Sequence, residues 1–158
     1  MKIVLENYKK IKDNIKKIYP AKSPNIIAVS KTFTLEHIQP LINLGHLHYG
    51  ENKVQEALEK WTELKNEVKG LKLHMIGKLQ TNKVKFAIPL FDYIHSLDNL
   101  KLAQKISSEE KKLNKKLKIF IQVNIGNEDQ KSGINQNEVI SFYQKTMPNV
   151  KVSLWIKI

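Results

Sequence analysis

Short apolar segments alternate with amphipathic helical segments along the chain, and this alternation limits the possible folds more than any other sequence feature. Segments rich in β-branched and aromatic residues are predicted strands, at about 26–32, 46–50, 71–77, 93–97, 117–125 and 150–158. Between them, and in a further segment over about 2–18, apolar residues recur at helical spacing. This order predicts parallel strands connected by right-handed helical crossovers.

A sheet of this kind either stays open or closes into a barrel. No G-x-G-x-x-G or G-x-x-x-x-G-K sequence follows a predicted strand, which argues against the common nucleotide-binding open sheets. Polar residues suited to chemistry follow nearly every strand, as the mouth of a barrel requires. A complete (β/α)8 barrel has eight strands and usually about 250 residues. The sequence therefore predicts an α/β fold, an incomplete (β/α)8 TIM-type barrel of about six strand–helix units with an extra N-terminal helix, in a single domain over residues 1–158.

Charge and composition narrow the classes of function. The formal net charge of +12 favours anionic partners. However, all 27 basic residues are Lys, and they are scattered over helical faces, so we do not expect nucleic-acid binding. The absence of Cys leaves no disulfide or thiolate metal site, and no apolar run is long enough to cross a bilayer. The N-terminal segment also lacks a secretory h-region, so we expect a cytoplasmic protein with no membrane partner and no metal.

The first predicted strand, Ile26–Thr32, delivers Lys31 to its carboxyl end. Ligands of α/β folds bind outside the carboxyl ends of strands. An apolar wall at such a position desolvates an ammonium, which lowers the pKa of a lysine and frees its amine as a nucleophile. One hypothesis is that Lys31 forms an imine with an aldehyde. The alternative is a lysine that merely ends the strand and points to water.

Other strand ends carry polar residues that also have structural explanations. Asn52 and Asp98 each precede a predicted helix, and we expect both to act as N-caps, with Gln55 reaching back towards Asn52. His74, inside the third predicted strand, fits a hydrogen-bonded core residue as well as a functional one. The unusual feature is that all five loops after the predicted strands carry polar residues, and in a parallel sheet these loops lie at one rim.

Several of these segments together resemble the pyridoxal phosphate homeostasis proteins, a family that forms a single barrel similar to the N-terminal domain of bacterial alanine racemase. The matching segments occur in the family's order, at 28–32, 49–56, 74–83, 94–98, 122–125 and 131–133. Each segment alone is a weak signal, but five segments in register, with 122–125 and 131–133 counted as one, are specific. Lys78 departs from the family, which usually has Pro at that position.

The resemblance implies a binding site for pyridoxal 5′-phosphate (PLP). It implies that Lys31 forms the internal aldimine with the cofactor and that Asn52 lies beside its ring. It also implies that His74 and Ser96 line the mouth of the barrel, and that Lys131 stands where a basic residue approaches the cofactor. The resemblance implies no catalytic residue and no metal ligand.

The family resemblance favours a cofactor carrier that holds PLP without turnover and passes it on to PLP-dependent apoenzymes. A PLP-dependent racemase or decarboxylase is the first alternative, but racemisation needs a second acid/base group opposite the lysine, and none is visible. A basic nucleic-acid-binding α/β protein is the second alternative.

The resemblance is lost within 150–158. There the family continues to segments that hold the phosphate, whereas this sequence ends at Ile158. We therefore expect a truncated chain without the phosphate site and the last two strand–helix units, with weakened PLP affinity because the phosphate is the main handle for the cofactor. We expect the complete barrel to be a monomer.

Overall fold

The computed structural model describes residues 2–22, 24–126, 132–148, 150 and 152–153. Helices and strands alternate in it, and their bounds are α1 Lys2–Ile18, β1 Ala28–Val29, α2 Leu35–Asn43, β2 His48–Glu51, α3 Val54–Glu67, β3 Lys72–Met75, α4 Val84–Leu90, β4 Tyr93–Leu97, α5 Leu100–Lys112, β5 Lys118–Ile121, β6 Val123–Asn124, β7 Ile134–Asn135, α6 Val139–Thr146 and β8 Val152–Ser153. Short 3-10 turns, Thr81–Lys83 and Gln136–Glu138, lead into α4 and α6.

Six strands form one parallel sheet in the order β1-β2-β3-β4-β5-β8. Each strand pairs with the strand that precedes or follows it in this order, as in the wall of a barrel, and β1 and β8 are the two edges among the described residues. The short strands β6 and β7 pair separately, also in parallel. The structure confirms the predicted α/β fold, an incomplete TIM-type barrel with an additional N-terminal helix.

The two faces of the sheet differ in chemistry. Tyr49 of β2 packs on Trp61 of α3 with ring centroids 4.8 Å apart, so this face of β2 meets the helical layer. The buried apolar residues of the strands and helices form a single hydrophobic cluster, which supports the packing of the described residues as one unit. Successive side chains of a strand point to opposite faces. His48 and Gly50 therefore lie on the inner face of the sheet.

The predicted N-caps are wrong by one residue. The N-cap of α3 is Lys53 rather than Asn52, and it makes no side-chain capping bond. The N-cap of α5 is Asn99 rather than Asp98, because Asn99 has an extended backbone and its Oδ1 accepts from Leu102 N at 2.8 Å. Asp98 instead accepts a hydrogen bond from Asn99 Nδ2.

Several predicted strands are shorter than expected, among them the third, which is Lys72–Met75 instead of 71–77. The first is reduced to Ala28–Val29, because the chain turns directly after Ser30. The fifth divides at Gln122, since Val123–Asn124 pairs with β7 instead of continuing along the main sheet. For the predicted strand over 150–158, the structure describes a strand at Val152–Ser153 and places Val150 outside it, whereas residues 151 and 154–158 lie outside the described residues.

Candidate functional site

The carboxyl ends of β1, β2 and β3 are joined by backbone hydrogen bonds. Ser30 N donates to Gly50 O at 2.9 Å, and Ile76 N donates to Glu51 O at 2.9 Å. The register of β1 and β2 pairs Val29 with Gly50. Lys31 follows Val29 and Asn52 follows Gly50, each two positions beyond the paired residues of the two neighbouring strands. The structure therefore brings these two predicted site residues to the same rim of the sheet.

Lys31 lies in a tight turn at this rim. The turn is closed by a hydrogen bond from Phe33 N to Ser30 O, and Lys31 is exposed. The expectation that an apolar wall surrounds this lysine is therefore wrong for the part of the chain that the structure describes. Thr32 has a φ of 66°, an uncommon conformation for a β-branched residue that costs about 1–3 kcal/mol. The surrounding contacts must hold this turn in place.

The residue before Lys31 is bound to a buried carboxylate. Glu51 is fully buried, and its Oε1 accepts hydrogen bonds from Ser30 Oγ at 2.8 Å, Lys60 Nζ at 2.8 Å and Trp61 Nε1 at 2.9 Å. Lys60 Nζ also donates to Ser30 O at 2.8 Å. Sequence reasoning missed Glu51 and Lys60. The sequence offers only a weak signal for them, a charged residue at the end of the second strand and a lysine on the helix that follows.

Asn52 presents a polar atom that lacks a partner. Its Oδ1 is buried and has no hydrogen-bond partner among the described residues. The Asn52 backbone packs against Gly77, where an added Cβ would lie 2.3 Å from Asn52 O. Because buried polar groups are nearly always hydrogen-bonded, this amide oxygen is an acceptor suited to a hydrogen-bond donor of a ligand.

Three histidines form a hydrogen-bonded row across β2, β3 and β4, which we call the histidine row: His48, His74 and His95. His48 Nδ1 and His74 Nε2 are 2.9 Å apart, as are His74 Nδ1 and His95 Nε2. Tyr93 stacks on His74 with ring centroids 4.0 Å apart. Burial, and then the adjacent His95 and His48, lower the pKa of His74 to about 3. His74 is therefore uncharged near neutral pH, and one ring nitrogen can donate while the other accepts.

Ser96 and Lys131 are the two remaining predicted site residues. No contact among the described residues links either of them to Lys31 or Asn52. Ser96 is buried, and its Oγ has no hydrogen-bond partner among them. Lys131 lies outside the described residues. The part of the chain that the structure describes contains no group of three or more acidic or histidine side chains arranged to hold a metal ion. It also contains no helix with the length and apolar character needed to span a membrane.

Comparison with known proteins identifies relatives along most of the chain. The family described as "Alanine racemase, N-terminal domain" matches residues 6–156. The pyridoxal phosphate homeostasis protein of Pasteurella multocida is 37% identical over 140 residues, which cover 85% of this chain and 60% of that protein. The protein of the same name from Aquifex aeolicus is 40% identical over 129 residues, covering 80% of this chain and 56% of the relative. The chain thus spans a little over half the length of these curated relatives.

A solved structure agrees with these matches. PipY of Synechococcus elongatus with PLP bound is 28% identical and superposes with a TM-score of 0.75. The match covers 92% of this chain and 69% of that chain. The same barrel wall is therefore present in a relative whose structure contains PLP.

Proposed function

Because the chain belongs to the alanine racemase N-terminal domain family, we propose that it binds PLP on Lys31 and takes part in PLP homeostasis without catalytic turnover. The observation that carries this proposal is that Lys31 and Asn52 follow the carboxyl ends of two paired strands, β1 and β2, and that the buried Oδ1 of Asn52 has no partner among the described residues. The relatives named for PLP homeostasis and the PLP-bound PipY structure support it.

The proposed site uses an accessible amine. PLP supplies an electrophilic aldehyde when it is bound. Lys31 is exposed at the end of β1, and its amine would hold the cofactor through that aldehyde. Asn52 is placed to bind a polar group of the cofactor, and the uncharged His74 is proposed to line the mouth. Ser96 and Lys131 complete the proposed site.

The proposed role is that of a PLP carrier and not of a racemase. A racemase needs a second acid/base group opposite the lysine. The relatives named for PLP homeostasis favour a carrier instead. We propose that residues 1–158 act as one domain and that PLP-dependent apoenzymes receive the cofactor. We also propose that the carrier is a cytoplasmic monomer that binds neither membranes nor nucleic acid.

Titration with PLP tests this function. We expect a visible absorbance band that borohydride reduction makes permanent, because reduction converts the imine to a stable secondary amine. The band should be lost in Lys31→Met and retained in Lys53→Met, which removes an exposed lysine from the same rim. A band of equal strength in both variants, or no band in the folded wild-type protein, would contradict the proposal. Exchange of the α-deuterium of an added amino acid would instead indicate an enzyme.

A further inference from the structure

We propose that Glu51 and Lys60 are positioning residues for Lys31, which they act on through Ser30 and the turn that follows it. This inference rests on the proposed function of Lys31. Neither residue needs to touch PLP. Together they fix the backbone from which the reactive amine projects.

All polar atoms of Ser30 are engaged by neighbouring residues. Its N–H donates to Gly50 O, its hydroxyl donates to Glu51 Oε1, and its carbonyl accepts from both Phe33 N and Lys60 Nζ. The carbonyl that closes the Lys31 turn is therefore the same carbonyl that the Lys60 ammonium holds. A displacement of Lys60 would directly loosen the turn.

The geometry of the turn requires such support. Thr32 is held at a φ of 66°, and uncommon conformations of this kind persist only where surrounding contacts over-determine them. The ion pair between Lys60 and Glu51 provides such contacts from within the fold, because the two side chains are only 12% and 0% exposed. Screening by water is consequently small.

Stability of the fold alone does not explain why a charged Glu51 is buried behind the Lys31 turn. One carboxylate oxygen serves three donors, while Oε2 is buried without a partner among the described residues. A buried ion pair is often no more stabilising than well-packed apolar residues of similar volume. A buried charge directly behind the Lys31 turn is thus better explained by placement of the turn than by stability.

The test compares the rate of PLP adduct formation in Glu51→Gln, Lys60→Met and Lys60→Arg with the melting temperature of each variant. We expect Lys60→Met and Glu51→Gln to slow the reaction about tenfold or more, because small misplacements of a reacting group have effects of that size. Lys60→Arg keeps a cationic donor and should restore most of the rate. Leu102→Ala is the control, since it opens a cavity in α5 and lowers stability away from this rim.

A second readout does not depend on PLP. Hydrogen exchange at the Phe33 amide reports directly on the bond to Ser30 O, and we expect it to accelerate in Lys60→Met but not in Leu102→Ala. The inference would be overturned if Glu51→Gln and Lys60→Met formed the PLP adduct at the wild-type rate and showed wild-type exchange at the Phe33 amide. It would also be overturned if Leu102→Ala slowed adduct formation as much as they do. If wild-type protein forms no adduct at Lys31, the proposed function fails, and the exchange at Phe33 still decides whether Lys60 holds the turn.

Discussion

Replacing Gly77 with alanine is expected to destabilise the protein by about 3 kcal/mol or more, a cost at the upper end for an overpacked site. The new Cβ would lie 2.3 Å from Asn52 O, 2.8 Å from Asn52 Cα and 2.9 Å from its carbonyl carbon. These are backbone atoms, which cannot rotate away as a side chain can. The substitution must therefore push apart the chain segments that follow β2 and β3.

Gly45→Ala is the matched control for this prediction. Gly45 has a φ of 80° but no atom within 4 Å of an added Cβ, so only the backbone strain of about 1–2 kcal/mol applies. Chemical denaturation of both variants measures the difference. Because the Gly77 clash falls on Asn52, we also expect Gly77→Ala to weaken PLP binding, whereas Gly45→Ala should not. Equal stability losses in the two variants would show that the loops do not meet as closely as described.

Acidification below pH 6.5 is expected to destabilise the folded protein through His74. The pKa of His74 is lowered from 6.5 to about 3 by burial and by the neighbouring histidines, so the unfolded chain takes up a proton before the folded one does. The free energy of unfolding then falls as the pH falls. Between pH 7 and 4.5 this amounts to about 2–3 kcal/mol for this one group. Burial also lowers the pKa of His48, which acts in the same direction.

Urea unfolding at several pH values measures this effect. In His74→Gln the titrating group is removed, so we expect the pH dependence between 7 and 4.5 to flatten by about 2 kcal/mol. His37→Gln, on an exposed part of α2, should keep the wild-type dependence. Measurements stay above pH 4.5 because Asp92, whose pKa is lowered by hydrogen bonds from Lys65 and Leu73 N despite its burial, loses its stabilising charge only in stronger acid. If the free energy of unfolding of His74→Gln depended on pH as steeply as that of the wild-type protein, the account of the histidine row would be contradicted.

Local patterns predicted the fold well where burial alone decides the structure. The helix over 2–18 and the strand over 93–97 have the predicted bounds, since apolar spacing reports directly which side is buried. The N-caps were displaced by one residue because capping depends on the backbone angle of each residue. Asn99 has the required extended backbone, and Asp98 does not act as the cap.

The surroundings of the site depended on contacts that no local pattern encodes. The positive φ of Thr32, directly after the exposed Lys31, is unusual for a threonine and could not be predicted from its type. Glu51 and Lys60 meet only because α3 packs on the back of β2. His48, His74 and His95 are each visible in the sequence, but the register of three strands decides that they touch.

The central claim is that one lysine among many captures PLP, and peptide mass spectrometry after borohydride reduction tests it most directly. The protein is incubated with less than one equivalent of PLP, reduced and digested, and the modified lysines are identified. We expect the pyridoxyl group on the peptide that contains Lys31, with the other lysines largely unmodified. A label spread over many surface lysines, or concentrated at a lysine far from the Gly50–Asn52 rim, would contradict it.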